Sequence, residues 1–321
     1  MPLAAACARQ RVTETAEDGV GALAGFLMAE GSPEAVLSTG IAHRIAQLAS
    51  GGSKNALRAL VLLCASEEKK SVQAVAAAGA LSAAGAIVNA FCDKEDGGDR
   101  GDIEERVTLA CQVVCGIAEG GGVGSACLVA GNGGGAIESI VNMLKEGKGS
   151  RGLRKEGLWA VSRAVRRCGN EGEGMKCKVS MLDMGVVKEL GRGLNRGCEA
   201  EGDKELRLAI LEALWSFLLS GEMIEGPEGN PITRELEEIG TLDRIRDMAV
   251  DDIDSEIAQF CDKIIGRFTE GDELNDDDDD DNDYNEDDDD NDENDDMGGM
   301  KDDDIDIDDD DDGNVVCVPD M

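Results

Sequence analysis

Residues 154–165, RKEGLWAVSRAV, and residues 178–194, KVSMLDMGVVKELGRGL, decide how this chain folds. The first reads as a strongly apolar helix. The second carries a stop that ends in Gly185, and a new apolar helix pattern starts at once with Val186. The same stop and restart recurs outward in both directions: at Gly40 (GIAHRIAQLA), Gly79 (GALSAAGAIVNAF), residues 131–136 (opening GNGGGAIESIVNML) and Gly240 (GTLDRIRDMA). The spacings are 39, 52, 54 and 55 residues. After each restart come a polar connector and a second, more apolar helix, over 55–65, 103–118, 153–167, 205–219 and 255–268. The period therefore contains two helices.

Two helices and a short lead-in on a base period of about 40 residues is the pattern of armadillo and HEAT repeats. The Gly-rich, charged connectors 93–102 and 198–203 lengthen it here. Each helix pair has an apolar face that it cannot cover alone, so stacked neighbours bury it, and about five such pairs make a superhelix with a concave groove. A groove of that kind is a binding surface. The competing explanation for any single segment is a helical hairpin in some other all-α protein.

Composition agrees with helix: aromatics are 2% and proline 5 residues of 321, and the apolar content is mostly Ala, Leu, Val and Ile. Charge divides the chain in two. Of 69 acids, 27 lie within 272–312 against the single base Lys301, so that segment carries a net −26 of the total −38. A tail of this kind cannot bury enough apolar surface to offset its ordering entropy. We therefore expect a folded domain over 1–271 and a disordered Asp-rich tail over 272–321. The negative excess excludes electrostatic capture of nucleic acid or of an anionic membrane. No run reaches the roughly 18 apolar residues of a membrane span, residues 1–8 do not form a secretory signal, and the expected compartments are cytoplasm and nucleus.

Residues 154–194 look like the later armadillo repeats of the importin alpha family, in which a Lys-Glu-Ala-x-Trp-x-x-Ser-Asn helix precedes an apolar-x-x-Gly stop. Lys155, Glu156, Trp159, Ser162 and Gly185 carry the match. The stretch from Leu206 to Glu273 is similar to that family's closing repeats, including an insertion before the Glu-x-x-Gly stop at Gly240 and a final helix ending in Phe268 before acid. By this register the resemblance covers about 250 residues, beginning near residues 15–40, and the basic autoinhibitory arm and early repeats of the family are missing. It implies an all-α armadillo-repeat right-handed superhelical solenoid of about five repeats. It further implies an adaptor that binds nuclear localisation signals of basic cargo proteins. The carriers implied are an exportin-type one and an importin beta-type one, although the arm for the latter is absent.

In that family tryptophans stack the stems of signal lysines, and an asparagine one helical turn later anchors the peptide backbone. The corresponding pairs here read Gly21 and Gly25, Arg58 and Leu62, Gln112 and Gly116, and Trp159 and Arg163, so only Trp159 survives. Arg163 places a cation where the family keeps a neutral amide, and it would repel a signal lysine. The groove residues assigned by this register are Arg58, Gln112, Lys155, Trp159, Ser162 and Arg163. With Arg166 and Arg167 they include a basic stripe open to three readings: a solvated face with Trp159 packed into a neighbour, a dock for the acidic tail or another acidic segment, or a minor site for one basic cluster. Trp215, flanked by Leu214, Phe217 and Leu218, reads as core.

The tail has readings of its own: a solubility segment, or a polyanion that resembles histone-chaperone tails and screens basic proteins such as histones. The second makes the chain an armadillo scaffold or chaperone, the alternative to the import adaptor. Asp276, Asp278 and Asp280 lack the turn glycine and terminal glutamate of a calcium loop. Catalysis finds no support. The runs 120–124 and 131–135 lack the Gly-Lys-Ser/Thr ending of a phosphate loop and read as connectors, and His43 is the only histidine. The eleven cysteines stand singly, without a Cys-x-x-Cys pair, and read as reduced core residues, with zinc as the lesser reading and no cofactor or metal expected.

Overall fold

A computed structural model describes residues 13–29, 31–65, 69–93, 100–120, 135–195, 200, 202–224, 230–251 and 255–268. All of them lie in the unit Met1–Asn275. The expected disordered tail, 272–321, falls outside the described residues, as do Cys7, Cys127, Cys198 and Cys317. The described residues are helical with no strand.

The helices follow one order: a short lead-in, a glycine, a second helix and a longer third. In chain order they are α1 (Thr13–Met28), α2 (Pro33–Leu37), α3 (Ala42–Ser50), α4 (Lys54–Cys64), α5 (Lys69–Ala77), α6 (Ala80–Cys92), α7 (Arg100–Gly120), α8 (Ala136–Lys145), α9 (Arg151–Arg167), α10 (Gly172–Asp183), α11 (Val186–Leu194), α12 (Lys204–Ile224), α13 (Pro231–Glu238), α14 (Thr241–Asp251) and α15 (Ser255–Phe268). The third helices α1, α4, α7, α9, α12 and α15 each pack on the next in that series, and the second helices α3, α6, α8, α11 and α14 do the same. The lead-in noted in the sequence is thus a short helix of its own in α2, α5, α10 and α13.

Each stop glycine is left-handed: φ is +69° at Gly40, +92° at Gly79, +68° at Gly135, +77° at Gly185 and +70° at Gly240. An L-residue there costs about 1 kcal/mol, which is why the period is punctuated by glycine. The turn is closed by the glycine amide, which donates to Leu37 O, Ala76 O, Leu182 O and Glu237 O at Gly40, Gly79, Gly185 and Gly240, at 2.7–3.0 Å. Two sequence expectations need correction. Within 131–136 the glycine that caps the restart is Gly135. The connectors drawn at 93–102 and 120–124 each lose residues to α7, which runs from Arg100 through Gly120.

Third helices begin at side-chain caps. Ser53 accepts from Ala56 N (3.1 Å), Ser150 from Leu153 N (3.3 Å) and Asp203 from Leu206 N (3.1 Å), each worth about 1 kcal/mol. Gly116 and Gly120 let α7 approach its neighbours: an added Cβ would lie 2.7 Å from Cys64 Cβ and 2.6 Å from Val72 Cγ2. Cys64, Cys111, Cys168, Cys177 and Cys261 are buried, and burial pushes the Cys64 thiol up to about 12, so it packs as an apolar group. No single described helix is long and apolar enough to cross a membrane. The pair α5 and α6 qualifies only jointly and is bent by 58°.

The largest fully buried side chain is a lysine. Lys178, on α10, is 0% exposed, and its ammonium donates to Ser216 Oγ (2.6 Å), Ser216 O (3.1 Å), Ser220 Oγ (3.2 Å) and Asn170 Oδ1. None of these partners is a carboxylate, so burial lowers its pKa from 10.5 to about 8. The folded pKa lies below the unfolded one, so the charged form costs stability below about pH 8, and stability rises by about 3 kcal/mol as pH climbs through the window to 10.5. We expect Lys178→Met to lose that rise. Denaturant melts of both proteins at pH 7 and pH 10 check this, and parallel pH profiles would refute it.

Candidate functional site

The residues that the sequence assigned to a groove lie on the third helices, on their partly exposed faces except for Ser162, which is buried. Caps fix the starts of α4, α9 and α12, and side chains three and four apart on each helix share a face. That face is laced by ion pairs between successive helices. Arg58 on α4 pairs with Glu105 on α7 at 2.5 Å, beside Lys54, which reaches Asp102 (2.7 Å) and Glu105 (3.1 Å). On α9, Arg163 pairs back to Glu119 on α7, whereas Lys155 and Arg166 pair forward to Asp203 (3.1 Å) and to Glu212 on α12 (2.9 Å). Lys204 and Glu256 (3.0 Å), and Arg267 and Glu222, then link α12 to α15.

Lys155, Arg163 and Arg166, three cations of the stripe read in the sequence, are therefore each matched by a carboxylate on an adjacent helix. Exposed pairs of this kind contribute about 0–1 kcal/mol each. Their larger consequence is that the face is locally near neutral. Glu156 differs: burial pushes its carboxyl above the ordinary range, and a hydrogen bond to Gln112 only partly opposes that. Gln112 is thereby a partner of α9 across the α7–α9 contact.

Trp159 is half-buried, and the Arg163 guanidinium lies 4.8 Å from its ring centroid. Ser162 is fully buried, and its Oγ has no hydrogen-bond partner. Gly21, at another position of the register, faces Asn55, and Gly25 faces open space. The register thus brings Gln112, Glu156, Trp159 and Arg163 together at the α7–α9 contact, leaves Arg58 at the α4–α7 contact, and puts Ser162 in the core.

Sequence reading missed Glu119 and Glu212, which no local signal marks, because each acts across to α9 from a neighbouring helix. It also missed the environment of Trp215. That ring is half-buried on α12, edge-on to Phe260 (6.4 Å, 81°), with Lys263 Nζ 4.3 Å and the Arg267 guanidinium 5.8 Å from its centroid. Among the described residues no three His, Cys, Asp or Glu side chains group as metal ligands. His43 Nδ1 lies 3.2 Å from Ala78 O, beside Gly79.

No protein-family model matches the chain, and no curated protein matches it. The buried, unpartnered Ser162 hydroxyl gives a direct check on the packing of α9. We expect Ser162→Ala to hold or raise stability by up to about 1 kcal/mol in a thermal melt, since it removes an unsatisfied polar atom. A loss of more than about 1 kcal/mol would show that the hydroxyl has a partner.

Proposed function

We propose that the chain is a non-catalytic, divergent importin alpha-like adaptor: an armadillo solenoid of about five repeats that keeps little of the cargo ladder, takes basic localisation signals for import into the nucleus and works with an exportin-type carrier. One observation carries the reading. Helix pairs that restart at left-handed glycines, at Gly40, Gly79, Gly135, Gly185 and Gly240, set their longer helices in series, and Trp159, the one tryptophan kept at the ladder positions of the resemblance, stands on one of them with a cation already at its ring. A half-exposed indole beside carboxylates is the chemistry that holds lysine stems and ammonium heads.

The tail favours a second reading. A net −26 over 272–312 suits an armadillo scaffold or chaperone that screens basic proteins such as histones. Fluorescence polarisation with a labelled two-cluster basic peptide separates the two, using the full chain and the chain cut after Gly271 at two salt concentrations. The import reading expects saturable binding by the cut chain that weakens on Trp159→Ala by about fivefold or more. Binding that needs residues 272–321 and disappears at higher salt would overturn it in favour of the polyanion.

A further inference from the structure

Two places in the molecule combine an indole, an arginine and a glutamate. At Trp215 the arginine, Arg267, comes from the next helix and grips Glu222 through two nitrogens, Nε at 2.9 Å and Nη2 at 3.1 Å, so it holds α15 to α12. At Trp159 the arginine comes from the same helix, one turn on, and reaches back to Glu119. Arg163 can therefore leave that seat by rotating its own side chain, without separating two helices. The seat also fits it incompletely: its Nε is buried with no hydrogen-bond partner. Both Arg163 and Glu119 stay reachable from solvent, with side chains 30% and 33% exposed.

We propose that Trp159 and Glu119 form a clamp for one lysine or arginine side chain of an incoming polypeptide, and that Arg163 is its built-in competitor. The inference rests on the reading of the chain as a receptor for basic segments and adds how that site is regulated. An indole face and a carboxylate are the two partners a cationic side chain needs, the ring for its stem and edge, the carboxylate for its charge. Arg163 now supplies both contacts internally. A ligand lysine must displace it, so the apparent affinity is lowered by the fraction of time the clamp is closed. A ligand with several adjacent cations can displace Arg163 more effectively than an isolated lysine can, because its neighbouring charges are drawn to the acidic chain while one of them enters the slot.

The test uses the full chain in a Trp215→Phe background, so that Trp159 is the only indole, with acetyl-tetralysine amide as the probe and indole emission as the readout. We expect Arg163→Ala to bind the probe about tenfold more tightly than the parent. Arg166→Ala removes the same charge from the same helix and should stay near the parent. Adding Glu119→Gln to Arg163→Ala should abolish the gain. Arg163→Gln keeps a long polar side chain, guards against misfolding of the alanine variant and should tighten binding in the same direction. Equal tightening by Arg166→Ala would reduce the effect to net charge and overturn the clamp. Parent binding that Arg163→Ala and Arg163→Gln leave unchanged sinks the clamp while sparing the receptor reading. If no form changes Trp159 emission with the probe, both fall.

Discussion

Everything in this structure depends on a left-handed backbone turn placed between a short helix and the next one. With φ near +70° to +90°, each stop glycine sets the angle at which the next helix starts, and at Gly40, Gly79, Gly185 and Gly240 its amide closes the preceding turn. Once that angle is set, the third helix of each unit falls beside the third helix before it, and the apolar residues of both faces meet. Among the described residues the core is then a row of neighbour contacts, α1 to α4, α4 to α7 and onward. The Ala-rich composition suits this, because small side chains and glycines such as Gly116 let helices approach closely.

On the outer edge of that row, charge is arranged by the same neighbour rule. Arg58, Arg163, Lys155 and Arg166 each pair with an acid on, or at the start of, a neighbouring helix. Such pairs are weak individually, but they orient long side chains and determine which of them lie over an aromatic ring. Arg163 illustrates the link from sequence to structure: a cation one turn after Trp159 on the same helix gives the indole an internal partner.

The helices were largely legible from residue order. The third helices over 55–65, 153–167 and 255–268 lie within a few residues of α4, α9 and α15, because Ser53 and Ser150 mark two of their starts and the apolar period is strong. The stop within 131–136 was ambiguous, since GNGGG offers four glycines and no side chain distinguishes the one that turns. The site was less legible. Trp159 and Arg163 can be found from their spacing, but Glu119 belongs to another repeat, and only the α7–α9 contact brings it to Arg163. Lys178 was invisible, because GMKCKVSM reads as an ordinary amphipathic stretch, and its partners Ser216 and Ser220 lie 38 and 42 positions away.

That lysine also gives the molecule an internal clock. An amine enclosed by α10, α12 and the Asn170 turn cannot meet an acylating reagent until α10 lifts from α12, so its labelling rate counts openings of one specific contact. Once acylated, the side chain has lost its charge and two of its hydrogen-bond donors and has gained bulk, and it cannot return to a space shaped for an ammonium. Each opening caught this way is therefore kept, and the contact between α10 and α12 becomes a recorder of how often this part of the chain breathes.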